Sequence, residues 1–296
     1  MSEYNEASDT SSCCASCGIA EIDDVKLKEC DDCCLVRYCS DACQQLHRSE
    51  HEEVCNKRAA ELRDEMLFKQ PEGTHRGDCP ICCLPLSIDV EKCTMWPCCS
   101  KVICNGCARA SKIRGREMRL GQSCPFCRKP VPTTEEAMEL MMKRVEKNDP
   151  RAICEKGLNL CSNGDPIEGF ELLKKAAELG DLRAHYNLSI LYRVGKGVEK
   201  DIGKMMYHLE EAAIGGNPTA RHNLGVIAKN DGNFDRAVKH YIIAATQGDD
   251  DSIKCLMDMF KRGFVEKDDL AATLRAHQAA ADAMKSPQRE EADRWG

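Results

Sequence analysis

Aromatic side chains are scarce in this chain: Phe, Tyr and Trp together make up 5% of it, and there are two tryptophans. The stretch from Cys79 to Cys127 holds only Trp96 and Phe126 as large aromatics, too little apolar bulk for so short a segment to fold unaided. No run of 18 apolar residues occurs, which excludes a membrane-spanning helix and makes membrane partners unexpected. Met1 to Ser12 is polar and acidic and lacks the apolar region of a secretory signal, so an intracellular location, cytoplasm or nucleus, is expected, with this tail disordered. A reducing compartment argues against disulfides. Basic charge is in deficit, with a formal net charge of −7 and a pI near 5.7, which disfavours bulk nucleic-acid binding.

Cysteine, by contrast, is abundant. Of 22 cysteines, 19 lie before residue 128, and nothing after residue 130 has the spacing of metal ligands. The densest run pairs Cys79 with Cys82, Cys98 with Cys99, Cys104 with Cys107 and Cys124 with Cys127. A C-x2-C pair on a tight turn brings two sulfurs to one tetrahedral ion, so four pairs call for two zinc ions. Metal binding in small zinc modules is worth roughly 10 to 16 kcal/mol, so ligation and folding are expected to be one event, with the segment disordered without zinc. An earlier ladder runs Cys14-x2-Cys17, Cys30-x2-Cys33, Cys39-x3-Cys43 and His51-x3-Cys55. His51 and Cys55, at i and i+4, share a helix face and can reach one ion. Two further zincs follow, giving four in all.

The first ladder, with Cys17-Gly18, Tyr38-Cys39-Ser40, Cys43-Gln44 and a closing His51 and Cys55, resembles the MYND-type zinc finger. The resemblance implies alternate pairing: Cys14, Cys17, Cys39 and Cys43 on one ion, and Cys30, Cys33, His51 and Cys55 on the other. Cys13 and Cys34 are then spare, with Cys13-x3-Cys17 as an alternative register. His47 reads as a surface histidine or a support for the ligands. The family commonly carries Trp where Arg48 stands, at its usual proline-rich peptide groove.

Cys-Pro-Ile-Cys at 79–82, Ile103-Cys104-x2-Cys107 and Cys-Pro-Phe-Cys-Arg at 124–128 resemble a RING finger of the all-cysteine kind. The resemblance implies a cross-brace in which Cys79 and Cys82 join Cys104 and Cys107, while Cys98 and Cys99 join Cys124 and Cys127. The third and fourth ligands are adjacent here rather than separated, and Cys93 is the alternative to Cys98; Cys83 is structural. RING fingers do no covalent chemistry, but grip a ubiquitin-conjugating enzyme. Ile81 and Pro125 match their apolar contacts, and Arg128 matches the basic residue that steadies the charged thioester. No tryptophan lies between Cys107 and Cys124, where many active ligases have one.

Arg109, Lys112, Arg114, Arg116 and Arg119 stand against the single acid Glu117. Such a run is usually a solvated helix face, with an acidic partner, RNA or the acidic first finger as alternatives. Residues 56–78 read as a helical linker broken at Pro71-Glu72-Gly73. Thr133 with Glu136 makes a capping box that opens a connecting helix within 131–147.

Internal repetition organises the second half. Corresponding starts at Asn148, Gly180, Gly216 and Gly248, and alanine pairs at 176, 212, 244 and 279, predict four helix pairs. Gly180, Gly216 and Gly248 suit the left-handed position after a helix, and the Asp or Asn that follows suits the next cap. Leu188, Leu191, Leu224, Tyr207 and Tyr241 are expected to fill between helices, and Cys154, Cys161 and Cys255 to be packed thiols. Ala177-Glu178-Leu179-Gly180-Asp181, His185-Tyr186-Asn187-Leu188 and Gly195-Lys196-Gly197-Val198 resemble Sel1-like repeats, which implies an interaction scaffold over about 148–283.

The expected fold class is therefore two small zinc-stabilised α+β modules, both cross-braced fingers, followed by an all-α solenoid of helix pairs. The expected domains are a tail at 1–12, fingers at 13–55 and 79–130, linking segments at 56–78 and 131–147, repeats at 148–285 and a polar tail at 286–296. The expected function is a protein-interaction scaffold. The RING resemblance points to a ubiquitin ligase or ligase subunit that uses the second finger to recruit a conjugating enzyme and the repeats to recruit substrate. A non-enzymatic adaptor is the alternative, and nucleic-acid regulation a more distant one.

Overall fold

The structure, a computed structural model, describes residues 13–22, 24–73, 75–119 and 121–294, so the expected tail at 1–12 lies outside the described residues. Contacts divide the chain into two compact units, Met1–Lys69 and Gln70–Gly296.

In the first unit the short strands β1 (Lys28–Glu29) and β2 (Arg37–Tyr38) pair antiparallel, with Lys28 opposite Tyr38. Helix α1 (Asp41–Phe68) starts at Ser40, whose Oγ accepts the Cys43 N–H at 3.3 Å. Its sequence contains neither Pro nor Gly, and Arg58 pairs with Glu61 and Glu65 along the surface, so the His51/Cys55 helix and the helical part of the linker are one continuous rod. It stops just before Pro71. The buried centre consists of Leu27, Tyr38 and the sulfurs of Cys14, Cys30, Cys33 and Cys55. Thiols take the place that aliphatic side chains fill in a larger domain.

The second unit begins with a hairpin. Strands β3 (Cys93–Trp96) and β4 (Lys101–Cys104) pair with Cys93 opposite Cys104, and helix α2 (Asn105–Glu117) follows directly. Trp96, Ile103, Leu86 and Ala108 pack among Cys79, Cys104 and Cys124. Helix α3 (Thr134–Glu146) opens with the reciprocal capping box: Thr133 Oγ1 accepts from Glu136 N at 3.3 Å, and Glu136 Oε2 from Thr133 N at 2.8 Å. Arg144 of α3 donates to Ser100 Oγ at 3.1 Å and to Asp149 Oδ2 at 2.8 Å, tying the hairpin turn to the first repeat.

Four helix pairs then stack: α4 (Pro150–Asn163) with α5 (Pro166–Glu178), α6 (Leu182–Val194) with α7 (Ile202–Ile214), α8 (Pro218–Asn230) with α9 (Phe234–Thr246), and α10 (Asp250–Lys261) with α11 (Lys267–Ala283). At each boundary one device recurs. Gly180, Gly216 and Gly248 take φ of 88°, 83° and 94°, and Asp181, Asn217 and Asp249 cap the next helix with a side-chain oxygen. Asn148, at φ 55°, takes the glycine position ahead of the first repeat's cap, Asp149. The longer spacing of the second repeat lies in the 195–201 loop, where the third pair uses only 231–233.

Leu188, Leu191, Leu224 and Tyr241 are buried as expected, as are the alanine pairs at 176, 212 and 244, and Cys154 and Cys161; Cys255 is half-buried. Tyr207 is not: it is 53% exposed, because Met205 and Leu209 take the inner face of α7. Leu209, three residues before its alanine pair, holds the register that Tyr241 holds in α9. Ala279 is also exposed, since among the described residues no further repeat stacks on α11.

Two segments outside the helix pairs dock on this unit. Residues 70–73, 75 and 76 lie along the repeats: Gln70 Nε2 donates to Thr246 Oγ1 at 2.8 Å, Gln247 Nε2 to Gly73 O at 3.1 Å, and His75 N to Gly216 O at 3.1 Å. Residues read as a polar tail form helix α12 (Pro287–Arg294), capped by Ser286 Oγ, which accepts from Arg289 N at 3.3 Å. Among the described residues no helix is long and apolar enough to cross a membrane.

Candidate metal centres

Four of the five C-x2-C pairs sit on the same turn; in the fifth, Cys104 caps the start of α2, its Sγ accepting from Cys107 N at 3.4 Å. In the four, the residue after the second cysteine donates its N–H to the first cysteine's carbonyl: Gly18 to Cys14 (2.9 Å), Cys34 to Cys30 (3.0 Å), Cys83 to Cys79 (2.8 Å) and Arg128 to Cys124 (3.0 Å). All four take left-handed backbone, with φ of 75°, 56°, 55° and 58°. This turn aims both thiols of a pair to one side. It also explains two of the spare cysteines, since Cys34 and Cys83 are exposed side chains on the closing residue of a knuckle.

Four donor groups result, each with all its ligand atoms within 4.8 Å of one another: Cys14, Cys17, Cys39 and Cys43; Cys30, Cys33, His51 and Cys55; Cys79, Cys82, Cys104 and Cys107; Cys98, Cys99, Cys124 and Cys127. The first two groups lie in the first unit and the last two in the second. In a tetrahedral zinc site with zinc–sulfur bonds of about 2.3 Å, sulfurs stand about 3.8 Å apart. The separations here are 3.5 Å for Cys17–Cys39 and Cys39–Cys43, 3.7 Å for Cys30–Cys55 and Cys99–Cys124, and 3.9 Å for Cys82–Cys104. A disulfide would need about 2.05 Å, and every cysteine is free.

The thiol electrostatics fit the same ion. Burial pushes the Cys14 thiol up, but N–H donation from Cys17, Cys39 and Ser16 outweighs it and brings the group to about 6. In the same cluster Cys39 is pushed up to about 12 by its sulfur neighbours Cys17 and Cys43. In the second cluster burial and the sulfurs of Cys30 and Cys33 push Cys55 up to about 12 as well. The first thiolates form readily and the last resist crowding with like charge. A dication among them removes that conflict. Zinc, when bound, supplies the cross-link that holds each module folded.

His51 directs Nε2 to within 3.1 Å of Cys33 Sγ. Burial, with nearby His47, lowers its pKa and keeps the imidazole in the neutral, ligating form. His47 stacks on it at 5.6 Å and 12°, and its own Nδ1 lies 3.1 Å from Tyr38 Oη. Arg48 lines a groove of about 290 Å³ beside this cluster together with Asp32, Asp41, Gln44 and Glu52. The groove is polar where an aromatic would have made it apolar.

Of the alternative ligands, Cys98 lies 3.3 Å from Cys127 Sγ, whereas Cys93 stands on β3 with its sulfur 3.9 Å from Ser87 O, outside the cluster. Cys13 bridges Ala20 and also lies outside. Ile81 is 44% exposed, Pro125 is half-buried and Arg128 is exposed. The basic run lies on α2 and just beyond it; Arg109 pairs with Glu291 of α12 at 3.7 Å, while Lys112, Arg114 and Arg116 remain exposed.

Sequence reasoning missed Arg289. It reaches from α12 to the Cys79–Cys82 knuckle, donating to Cys82 Sγ at 3.4 Å, Leu84 O at 3.1 Å and Pro85 O at 2.7 Å. Ser286 followed by Pro287 was the available signal: a capping residue before a proline at the first helical position.

Residues 14–55 match the MYND finger family, and residues 145–181, 182–217 and 219–249 match the Sel1 repeat, so that the matched repeats end before α10 and α11. No curated protein matches the chain. Among solved structures, a Sel1 repeat protein from Oxalobacter formigenes is similar at 24% identity, over 53% of this chain and 67% of that one, with a TM-score of 0.45. The protective antigen c5321 of uropathogenic Escherichia coli strains, described as displaying an SLR fold, shares 25% identity over 60% of this chain and 38% of its own, with a TM-score of 0.43. Immunity protein PA5088 from Pseudomonas aeruginosa shares 18% identity over 60% of this chain and 69% of its own, with a TM-score of 0.41. The chain carries a MYND finger at 14–55 and Sel1 repeats over 145–249, and is a zinc-binding protein-interaction scaffold.

Proposed function

We propose that this scaffold is a RING-type ubiquitin ligase or ligase subunit, in which residues 79–130 recruit a ubiquitin-conjugating enzyme and the repeats of 148–285 recruit substrate. The four donor groups are its zinc ligands. The observation that carries this reading is the pairing of clusters in the second finger: Cys79 and Cys82 stand with Cys104 and Cys107, and Cys98 and Cys99 with Cys124 and Cys127. That interleaving is a cross-brace. Ile81, exposed on the first knuckle, and Pro125, on the last, support it as apolar contacts. Arg128 supports it as an exposed guanidinium directly after the last cysteine, with donors enough for two partners at once. No covalent residue takes part; the work is orientation of a thioester carried by the partner.

The test is discharge of ubiquitin thioester from a panel of conjugating enzymes by zinc-loaded full-length protein. Arg128→Ala is expected to keep the wild-type zinc content and lose discharge. Ile81→Ala is expected to weaken recruitment by about 1 to 2 kcal/mol as an interface anchor. No discharge with any conjugating enzyme, at full zinc occupancy, would end the ligase reading. A non-enzymatic adaptor would then take its place, a reading that α12 favours by covering one face of α2, where an added Gly106 side chain would meet Arg289 N at 2.8 Å.

A further inference from the structure

Helix α12 lies against the second finger through four contacts of different kinds. Arg289 wraps the first knuckle, with Nη2 on Cys82 Sγ and Leu84 O, and Nη1 on Pro85 O. Lys92 Nζ reaches Asp293 at 3.3 Å, and Arg109 reaches Glu291 at 3.7 Å. Gly106, between Cys104 and Cys107 in the chain, lets the two backbones meet: a Cβ there would stand 2.8 Å from Gln288 C and 2.9 Å from Gln288 O. Finger and helix both contribute charge, and Gly106 of the finger contributes the close fit.

Four thiolates around a dication keep a net negative charge, which the protein must balance where the cluster is buried; Cys79 and Cys104 are 0% and 3% exposed. Arg289 donates from Nη2 to the Cys82 sulfur of this cluster, and it arrives from 207 positions away in the chain. Its guanidinium also satisfies two knuckle carbonyls that hold the cluster's turn in shape.

From this geometry we infer that Arg289 is a positioning residue for the metal site at Cys79, Cys82, Cys104 and Cys107, and that α12 is a latch whose docking and zinc retention at that site depend on each other. The inference rests on the reading of this cluster as a zinc site. Zinc fixes the knuckle that α12 grips; Arg289 of α12 in turn supplies the positive charge and the donors that hold the knuckle closed. Loss of the ion frees the C-terminal helix, and loss of the helix opens the site to chelation.

The experiment titrates zinc-loaded full-length protein with EDTA, counts bound zinc by native mass spectrometry, and maps freed thiols by alkylation and peptide mass analysis. In Arg289→Ala one zinc should leave at an EDTA concentration at least ten-fold lower than in wild type, with Cys79, Cys82, Cys104 and Cys107 alkylated first and the other three ions unchanged. Gly106→Ala, which improves local helix propensity while displacing α12, should do the same. Arg289→Lys, which keeps the charge but loses the fork, should recover part of the retention. Amide exchange should show 287–294 losing protection together with that ion. If Arg289→Ala and Gly106→Ala both release zinc in the wild-type order and at the wild-type concentration, the latch is wrong. If wild-type protein holds zinc only in the first finger, the metal reading of residues 79–127 fails, and the latch falls with it.

Discussion

Arg128 closes the last knuckle by donating its N–H to Cys124 O at 3.0 Å while holding a left-handed backbone, φ 58°. Cys34 and Cys83 do the same after their own pairs, and only Gly18 uses the residue type suited to that conformation. A side chain there costs roughly 1 to 2 kcal/mol. Cys83→Gly is therefore expected to leave the zinc count unchanged and to stabilise the second finger by about 1 kcal/mol, read as a shift in its denaturation midpoint. A lost zinc would instead make Cys83 a ligand.

Gly216 tests the docking of Gly73 and His75 on the repeats. Its φ is 83°, and an added Cβ would stand 2.7 Å from Gly73 O; at Gly180, φ 88°, an added Cβ would meet nothing within 4 Å. Gly180→Ala should cost only the backbone strain, roughly 1 kcal/mol. Gly216→Ala should cost more, by about 1 to 3 kcal/mol of overpacking, and should speed amide exchange at His75. Equal costs would mean that the segment is not held at Gly216.

Acid should weaken the second unit through its histidines. Burial, and then the neighbouring His185, lowers His208 to about 4; burial, and then Arg76, lowers His75 to about 4. The unfolded chain takes up protons as pH falls through about 6.5, whereas the folded one does not until about 4. Stability is therefore fully present above about 6.5 and is lost as pH falls from there toward 4. His208→Gln should flatten the pH dependence of the melting temperature in that window relative to wild type. An unchanged slope would show that His208 is not held neutral. The cap Asp149 acts lower: burial raises its pKa, Arg144 outweighs that, and its contribution is lost only as pH falls below the ordinary carboxylate range.

Much of this was readable in the residues because it is local. The turn at Gly180-Asp181 joins neighbours in the chain, as does the capping box at Thr133, so spacing and residue type sufficed. The four ligand groups interleave over longer distances, and there the resemblance to known fingers supplied the pairing that the structure displays. What stayed hidden depends on contacts between remote segments. Arg289 on Cys82, Gln247 on Gly73 and Arg144 on Ser100 leave no periodic trace. Tyr207 misled for another reason: it stands two positions from Leu209, and a two-residue error on a helix moves a side chain to the opposite face.

The repeats carry no metal ligands among their described residues, so α4 to α11 should survive chelation. Far-ultraviolet circular dichroism of full-length protein in EDTA should lose signal from the fingers and α12 while keeping the helices of the solenoid. Complete loss of helical signal would mean that the solenoid depends on the metal half.

Four donor clusters, each able to hold one ion, set the expected stoichiometry. Native mass spectrometry of the full chain should find four zincs, falling to three when Cys14→Ser, Cys30→Ser, Cys79→Ser or Cys124→Ser removes a donor from any one cluster. Two zincs in the wild-type chain would contradict it.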